Sequence, residues 1–335
     1  MCYYSFMKRK LSALLVSSFL LLSACNGQYK TYDASDYILE LPYQENFRVL
    51  QLTDLHIADK DDQDLHFDFM DITINESNPN LIVVTGDVFT FASKGTARRL
   101  CDYLDSHDVP WTVVFGNHDE QCLFSIEWFS TYLTKYGSNC IFKDMPNDDV
   151  YGNCNFVINL MKNNATHEQI ILMDTNRYNY NGGFGYDHVK QNQIDWYEKM
   201  VNYSTSQNND VIIPSTLYYH IPLPEINEAW EKAQTGQDGA TLDYGEKREK
   251  SYPPTYNSGL FDKIVELGST RAMFFGHDHL NNFRVTYKGV TFGYGIKSTD
   301  RIYYADDLMG GRTMIIHDDH SLTYEEHYHT YDEVN

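Results

Sequence analysis

Short apolar runs alternate with amphipathic segments from Phe47 onward, and this alternation predicts the first half of the fold. Three apolar runs that end in turn-like polar residues predict strands at 47–53, 81–85 and 111–115. Apolar residues at helical spacing predict helices over 66–77, 96–106 and 123–136. Strand–helix–strand alternation implies parallel strands in a buried sheet, so we expect an α/β protein.

The second half carries more strands and fewer helices. The pattern predicts a hairpin of strands 156–160 and 169–174, and helices at 187–201 and 259–267. It predicts single strands at 217–219 and 272–275, and two further strand pairs, 283–287 with 290–294 and 314–317 with 322–326. Residues 225–256 are polar and rich in Gly, Lys and Glu, which predicts a long functional loop. No repeat or linker interrupts this region, so residues 47–335 are predicted to form one domain.

The first 46 residues predict export and a membrane anchor. Lys8, Arg9 and Lys10 precede an apolar run over 11–24, which has the length of a signal-peptide core and is short for a membrane span. The end of the run resembles a bacterial lipobox, in which the cysteine, here Cys25, receives a lipid. We therefore expect a lipoprotein signal peptide at 1–24, a polar tether at 25–46, and an extracytoplasmic, membrane-anchored protein of the cell envelope. The alternative is an ordinary secretory signal with a chance cysteine.

Charge and cysteine content narrow the possible partners. With 26 Lys+Arg against 47 Asp+Glu the net charge is −21, which disfavours binding to duplex nucleic acid. Beyond Cys25, four cysteines remain after the predicted signal peptide, and they permit three disulfide connectivities: Cys101, Cys122, Cys140 and Cys154. Cys101 also fits the apolar stripe of a helix, where it would be a small core residue. The absence of a CxxC pair disfavours a thiolate zinc site.

Five short motifs of metal-binding residue types stand directly after predicted strands. They are Asp54-Leu55-His56, Gly86-Asp87, Gly116-Asn117-His118-Asp119, His220, and Gly276-His277-Asp278-His279. Each motif alone has an ordinary structural explanation, but the carboxyl ends of parallel strands converge on one crevice. A spacing of two places both side chains on one side of an extended segment, and glycine permits a sharp turn. Carboxylate, amide and imidazole ligands together suit Mn, Fe or Zn.

In these motifs the sequence resembles the calcineurin-like metallophosphoesterase superfamily over 47–293. Segments 109–120, 185–197, 220–225 and 276–281 are similar to its purple-acid-phosphatase-like branch. The resemblance implies a four-layer αββα sandwich of two mixed sheets with two metal ions at its rim. It implies that the first metal is held by Asp54, His56 and His279, the second by Asn117, His220 and His277, and that Asp87 bridges both.

The resemblance also implies a reaction. A metal-activated hydroxide would hydrolyse a phosphoester, His118 would protonate the leaving oxygen or stabilise the transition state, and Asp119 would orient His118 or cap the following helix. We expect a phosphomonoesterase; the alternatives are a phosphodiesterase acting on nucleotides or lipid headgroups, and a non-catalytic envelope lipoprotein that binds ligands.

One position departs from the family pattern. Purple acid phosphatases have a metal-binding tyrosine three residues after the bridging aspartate, where this chain has Thr90. We therefore expect no purple charge-transfer band. We interpret Asp59 and Asp278 as loop-shaping residues, and Arg177, Tyr178, Tyr186, Lys247 and Arg248 as neighbours of the site or members of a solvated surface. Histidines 317, 320, 327 and 329 are interpreted as strand and surface residues.

Overall fold

Two β-sheets lie face to face in the computed structural model, which describes residues 32–145, 149–179 and 185–334. The smaller sheet has the order β13-β12-β2-β3-β4. Its strands are β2 (Phe47–Leu52), β3 (Leu81–Thr85), β4 (Trp111–Val114), β12 (Met309–Ile316) and β13 (Leu322–His329). Strands β2, β3 and β4 are parallel neighbours, which confirms the pairing predicted from their alternation with helices.

The larger sheet has eight strands in the order β1-β5-β6-β7-β9-β11-β10-β8. The strands are β1 (Ile38–Pro42), β5 (Phe156–Lys162), β6 (Ala165–Leu172), β7 (Ser215–Tyr218), β8 (Thr241–Tyr244), β9 (Thr270–Phe275), β10 (Arg284–Tyr287) and β11 (Val290–Tyr294). Strands β6, β7, β9 and β11 are parallel, whereas β5–β6 and β10–β11 are antiparallel hairpins as predicted.

Helices cover the outer face of each sheet. The helices are α1 (Gln63–Ser77), α2 (Lys94–Asp105), α3 (Ile126–Lys135), α4 (Gln191–Gln207), α5 (Glu225–Ala233), α6 (Leu260–Leu267) and α7 (Tyr331–Val334). Helices α1, α2 and α3 bury apolar residues in the same core as the smaller sheet, and α4 and α6 do so with the larger sheet. Asp62 caps α1 by accepting from the amide of Leu65, and Ser125 caps α3 in the same way.

Alternating side chains of the larger sheet divide the core into layers. On β9, Ala272 and Phe274 belong to the core shared with the smaller sheet, whereas Met273 and Phe275 belong to the core shared with helices. This period of two is the expected pattern for a sheet buried on both faces. The architecture is therefore helix, sheet, sheet, helix, as the family resemblance implied.

Two expectations about irregular segments are wrong. The predicted tether includes a 3₁₀ turn at Ala34–Tyr37 and strand β1, which pairs in parallel with β5, because Leu41 of this segment is apolar and buries in the core. The predicted loop 225–256 contains α5 and β8, since Ile226 and Ala229 of α5 lie on one buried helical face. Lys247 and Arg248 follow β8, and Arg248 pairs with Glu246 and Asp307 at the surface.

The cysteines and the membrane anchor have different outcomes. Cys101, Cys122, Cys140 and Cys154 are free thiols, and Cys101 is a buried residue of α2, as the alternative to a disulfide proposed. The predicted signal peptide and Cys25 lie outside the described residues. Within 32–145, 149–179 and 185–334, no helix has both the length and the apolar character needed to cross a membrane.

Candidate metal centre

The predicted ligand residues meet where the strands of both sheets end. Asp54 and His56 follow β2, Asp87 follows β3 and Asn117 follows β4 in the smaller sheet, whereas His220 follows β7 and the remaining two histidines follow β9 in the larger sheet. All seven are buried: Asp54, His56, Asp87, Asn117, His220, His277 and His279. The site is therefore built across the interface between the two sheets.

The loops after β2 and β3 are joined by backbone hydrogen bonds. The amide of Asp54 donates to the carbonyl of Gly86 over 3.1 Å, and that of His56 donates to the carbonyl of Asp87 over 2.8 Å. Asp54, His56 and Asp87 all have positive φ angles, which are rare for residues other than glycine and concentrate at functional sites. These loops hold their side chains in a fixed arrangement.

Glycine at 86 is required by close packing as well as by its backbone angle. Gly86 has a φ of +80°, and a Cβ there would lie 2.5 Å from the imidazole of His220. Any larger residue would displace that ring. The glycine before Asp87 therefore allows a strand of the larger sheet to approach the smaller one at the site.

Two groups of potential ligand atoms share Asp87. One comprises Asp54, His56, Asp87 and His279, and the other comprises Asp87, His220 and His277, with the atoms of each group within 4.8 Å of one another. Nε2 of His56 lies 3.1 Å from Nε2 of His279, and Nε2 of His220 lies 3.2 Å from Oδ2 of Asp87. Asp87 is the residue common to both groups, at the position where the family resemblance implies a ligand shared by two metals.

Unpaired buried atoms show that the residues fit metal ions. Oδ1 of Asn117 and Nδ1 of His277 are buried and have no hydrogen-bond partner, and Nε2 of the buried His220 faces the carboxylate of Asp87, itself a candidate ligand. Buried polar atoms are normally paired, so two unpaired atoms of suitable chemistry beside this imidazole and carboxylate fit the ligand shell of a cation. Asn117, His220 and His277 are also the three residues assigned to the second metal.

Hydrogen bonds at the opposite ring nitrogens orient the histidines. Nδ1 of His220 donates to the carbonyl of Thr85, and Nδ1 of His279 donates to the carbonyl of Tyr303, each over 2.8 Å. Because a carbonyl only accepts, the Nε2 lone pair of each ring is left for a metal. Nδ1 of His56 makes the equivalent bond to Oγ1 of Thr90 over 2.8 Å. Thr90, at the position of the family's tyrosine ligand, thus contacts a ligand.

Charge compensation governs the ionisation of the buried groups. Burial would raise the pKa of Asp87, but the neighbouring His220 and His56 hold it well below its usual range. Conversely, burial would lower the pKa of His220, but the carboxylate of Asp87 raises it to about 10. Burial, followed by the charge of His220, lowers the pKa of His277 to about 3. Bound cations would replace the proton on His220 as the partner of Asp87.

His118 lies at the edge of this centre, but Asp119 does not orient it. Nδ1 of His118 pairs with Oε1 of Gln121 over 2.9 Å, and its ring centroid lies 5.0 Å from that of His56. Asp119 instead accepts from the amides of Gly116 and Phe89, over 2.7 and 2.8 Å. Both predicted roles of Asp119 are therefore wrong. In the 3₁₀ turn Asp119–Gln121, residues three apart eclipse one another, which brings Gln121 rather than Asp119 beside His118.

Three further residues contact the candidate ligands; Tyr178 and Tyr186 were named from the sequence as possible neighbours of the site, whereas Lys297 was not. Lys297 is fully buried and donates to the carbonyl of Asp54 over 2.6 Å; burial lowers its pKa to about 8. The hydroxyl of Tyr178 accepts from Nδ2 of Asn117 over 2.9 Å. The ring of Tyr186 stands edge-on to His277, with a centroid distance of 4.3 Å. A Lys after an apolar strand was the only sequence signal for Lys297.

The remaining predicted residues lie around or outside the centre. Asp278 accepts from the hydroxyl of Tyr294 and the amide of Tyr252, and Asp59 accepts from the amide of Ser93, so both shape loops as expected. His327 and His329 lie buried on β13 next to Glu76, and His317 and His320 lie at the β12–β13 turn. None of these four belongs to either group of potential ligand atoms found among the described residues.

Comparison with known proteins identifies the family. The model of the calcineurin-like phosphoesterase family matches residues 47–281. Curated relatives include probable inactive purple acid phosphatase 14 of Arabidopsis thaliana, 27% identical over 82% of this chain and 76% of that protein. Probable inactive purple acid phosphatase 29 of the same plant is 26% identical over 74% of this chain and 71% of its own length. Phosphatase DCR2 of Saccharomyces cerevisiae is 24% identical over 71% of this chain and 44% of its own length.

Solved structures share the fold at low sequence identity. A dimetal phosphatase from Danio rerio aligns with a TM-score of 0.50 and 14% identity, over 86% of this chain and all of that one. GAP50, the anchor in the inner membrane complex of Plasmodium, aligns with a TM-score of 0.51 and 14% identity, over 87% of each chain. Together, family and ligand geometry support a dinuclear divalent metal site in a phosphoester hydrolase.

Proposed function

Because this chain belongs to the calcineurin-like phosphoesterase family, we propose that it is a phosphomonoesterase that uses a two-metal centre. The observation that carries the proposal is the ligand arrangement: two groups of buried ligand atoms share Asp87, and Oδ1 of Asn117 and Nδ1 of His277 have no hydrogen-bond partner. The phosphatase names of the relatives favour a monoester over a diester.

Bound metal ions would supply a nucleophilic hydroxide and neutralise charge on the phosphoryl group. The chain's own residues would position that chemistry. Asp87 belongs to both ligand groups and so holds them next to each other. Its Oδ1 accepts a hydrogen bond from the amide of His118 over 2.7 Å. Gln121 holds Nδ1 of His118, so Nε2 is the nitrogen that can donate a proton to the leaving oxygen.

Parallel assays of p-nitrophenyl phosphate and bis-p-nitrophenyl phosphate test the ester class. We expect the monoester to have the higher kcat/KM. A large preference for the diester would replace the proposal with the second candidate, a phosphodiesterase. That candidate is favoured by two cavities, of about 630 and 560 Å³, both lined by Tyr178, which offer space for two ester substituents.

A non-catalytic binding lipoprotein is the third candidate, and the word "inactive" in the names of two plant relatives favours it. All seven ligand positions of this chain hold competent residues, which argues against it. Metal analysis of the purified protein and the Asp87→Asn variant decide between them. If the protein is a hydrolase, we expect about two bound metal ions per chain and a large loss of activity in Asp87→Asn. The absence of bound metal, together with no effect of the substitution, would support a binding role.

We further propose that the ions are drawn from Mn, Fe and Zn, since the ligands are imidazole, carboxylate and amide. Thr90 supplies no phenolate, so the iron-loaded protein should show no phenolate-to-iron charge-transfer band. Reconstitution with each metal, followed by visible absorption and activity measurements, tests both statements.

We also propose that Cys25 carries a lipid that holds the enzyme at the cell envelope, based on the lipobox-like sequence. The Cys25→Ser variant should then lose association with the membrane fraction. Retained association would contradict lipidation at this residue.

A further inference from the structure

Two cavities meet at Tyr178, beside the ligands of the second metal. One has a volume of about 630 Å³ and the other about 560 Å³, and Tyr178 lines both. The hydroxyl of Tyr178 contacts Asn117, and the neighbouring Tyr186 contacts His277 and lines the smaller cavity. A phosphoester bound at the metal centre would therefore have space for its organic part in either cavity.

The larger cavity is acidic. Four carboxylates line it with one guanidinium: Glu120, Glu127, Asp144, Asp187 and Arg177. An anionic substrate would be repelled by this excess of negative charge, which the overall charge of −21 reinforces. An organic part that carries negative charge is therefore disfavoured here.

The smaller cavity has the opposite character, and we call it the tyrosine–proline cavity. Its walls include Tyr186, Tyr252, Pro253 and Pro254, and Lys250 is its cation. Among the described residues that line it, none is Asp or Glu. Flat aromatic and proline surfaces bind planar rings by stacking, and a nearby ammonium favours a ligand with further negative charge.

The cavity is also fixed to the metal centre by two contacts. The ring of Tyr186 stands edge-on to His277, and the amide of Tyr252 donates to Oδ2 of Asp278 over 3.2 Å. Both contacts are made to consecutive residues after β9, so two residues that line the cavity are held by one short segment. A ring bound against Tyr186 in this cavity would therefore lie close to His277, a candidate ligand of the second metal.

We propose that the tyrosine–proline cavity binds the aromatic ring of the leaving group, so that the preferred substrates are phosphoesters of nucleosides or similar ring-bearing alcohols. The inference rests on the proposed function and specifies its substrate class. Stacking of one base on aromatic side chains changes affinity by roughly 5- to 100-fold. The proposal therefore predicts a selectivity of that size.

Adenosine 5′-monophosphate and ribose 5-phosphate form a matched pair of substrates. Both release a primary alcohol, so a difference in kcat/KM reports on the base rather than on leaving-group chemistry. We expect the metal-loaded full chain to prefer the nucleotide by about 10-fold or more. Tyr252→Leu should reduce this ratio by about 5-fold or more, through a higher KM for the nucleotide.

Tyr256→Leu is the matched control. Tyr256 lies in the same segment and is 63% exposed, compared with 47% for Tyr252, but it does not line the cavity. Its substitution should leave the ratio unchanged. A ratio near one in the unaltered enzyme, or a ratio unaffected by Tyr252→Leu, would overturn the inference while the phosphatase function stands.

Equilibrium binding separates this inference from the proposed function. Adenosine carries no phosphate, so its binding to the full chain, followed by nuclear magnetic resonance, does not depend on hydrolysis. Binding that weakens in Tyr252→Leu and not in Tyr256→Leu supports the cavity even if no phosphoester is hydrolysed. Absence of binding together with normal turnover of p-nitrophenyl phosphate would refute the cavity assignment alone.

Discussion

His118 and Gln121 form a pair whose function depends on one hydrogen bond. Oε1 of Gln121 accepts from Nδ1 of His118 over 2.9 Å and so orients the ring. Gln121→Met should lower kcat for an alkyl phosphate by about 10-fold, because a poor leaving group needs protonation. The loss should be smaller for p-nitrophenyl phosphate, whose leaving group needs less help.

Gln121→Glu keeps an acceptor at the same place and should retain most activity. Asp119→Asn provides the contrast with Gln121→Met, because its expected effect is on stability. The carboxylate of Asp119 accepts hydrogen bonds from two backbone amides, one at each oxygen, whereas asparagine has only one acceptor oxygen. Asp119→Asn should lower the free energy of unfolding by about 1–3 kcal/mol. Equal losses with both substrates in Gln121→Met would contradict a role for His118 as the acid.

Tyr178 fixes the orientation of Asn117, a proposed ligand of the second metal. Its hydroxyl accepts from Nδ2 of Asn117, which leaves Oδ1 for the second metal. Tyr178→Phe should weaken binding of the second metal by about 10- to 100-fold and leave the first site occupied. Calorimetric titration of the metal-free protein measures both sites. Tyr186→Phe removes a neighbouring hydroxyl that does not contact Asn117, so it should bind both metals normally; equal affinities in the two variants would contradict the proposed positioning.

Strand β1 is the element in which sequence and structure differ most. Leu41 pairs with Leu160 of β5 and is buried in the core, although the segment was predicted to be a tether. Leu41→Ala should therefore lower the free energy of unfolding by about 2 kcal/mol, at the low end of core truncations because the residue lies at a sheet edge. Glu40→Ala, at an exposed neighbouring position, should change it little. Chemical denaturation of both variants measures the difference, and equal stabilities of the two variants would support the prediction that this segment is a tether.

Strands that are followed by candidate ligand residues could be predicted from the sequence, whereas segments with weak hydrophobic periodicity could not. Strand β3 has the bounds predicted from its apolar run, Leu81–Thr85, because a strand buried on both faces has a continuous apolar signal. The sequence contains a signal for helix α5: Pro224 precedes Glu225, and Ile226, Ala229 and Trp230 form an apolar helical face. The polar composition of the segment obscured this signal. The pairing of His118 with Gln121 depends on the geometry of a 3₁₀ turn, which composition does not reveal.

At the scale of the molecule, the two sheets are joined at both ends of β9. His277 and His279 follow the end of β9 and belong to the metal centre, whereas Arg271 lies near its start. Arg271 pairs with Glu168 of β6 over 2.5 Å, and Oε2 of Glu168 lies 3.6 Å from Nδ1 of His320 in the β12–β13 turn. At one end of β9 the sheets are therefore joined by the candidate metal ligands. At the other end they are joined by the buried carboxylate of Glu168 and its basic neighbours, Arg271 and His320.

The closure at Glu168 predicts a dependence of stability on pH. Burial raises the pKa of Glu168 to about 7, although the guanidinium of Arg271 opposes the change. A raised carboxyl pKa means that the folded protein holds a proton that the unfolded chain releases near its ordinary value of 4.5. The stabilisation from that proton is present in full below pH 4.5 and is lost as the pH rises through about 7.

Glu168→Gln should remove this dependence, because glutamine does not titrate. Compared with the unaltered protein, the variant should gain relative stability of roughly 2–3 kcal/mol between pH 4.5 and pH 8, since each pKa unit corresponds to about 1.4 kcal/mol. Denaturation curves of both proteins across this range measure the difference of free energies, in which titrations common to both cancel. The gain must appear chiefly between pH 4.5 and 7, because that interval separates the two pKa values. A stability difference that stays constant with pH would show that Glu168 is ionised in the fold, and that Arg271 outweighs the cost of burying it.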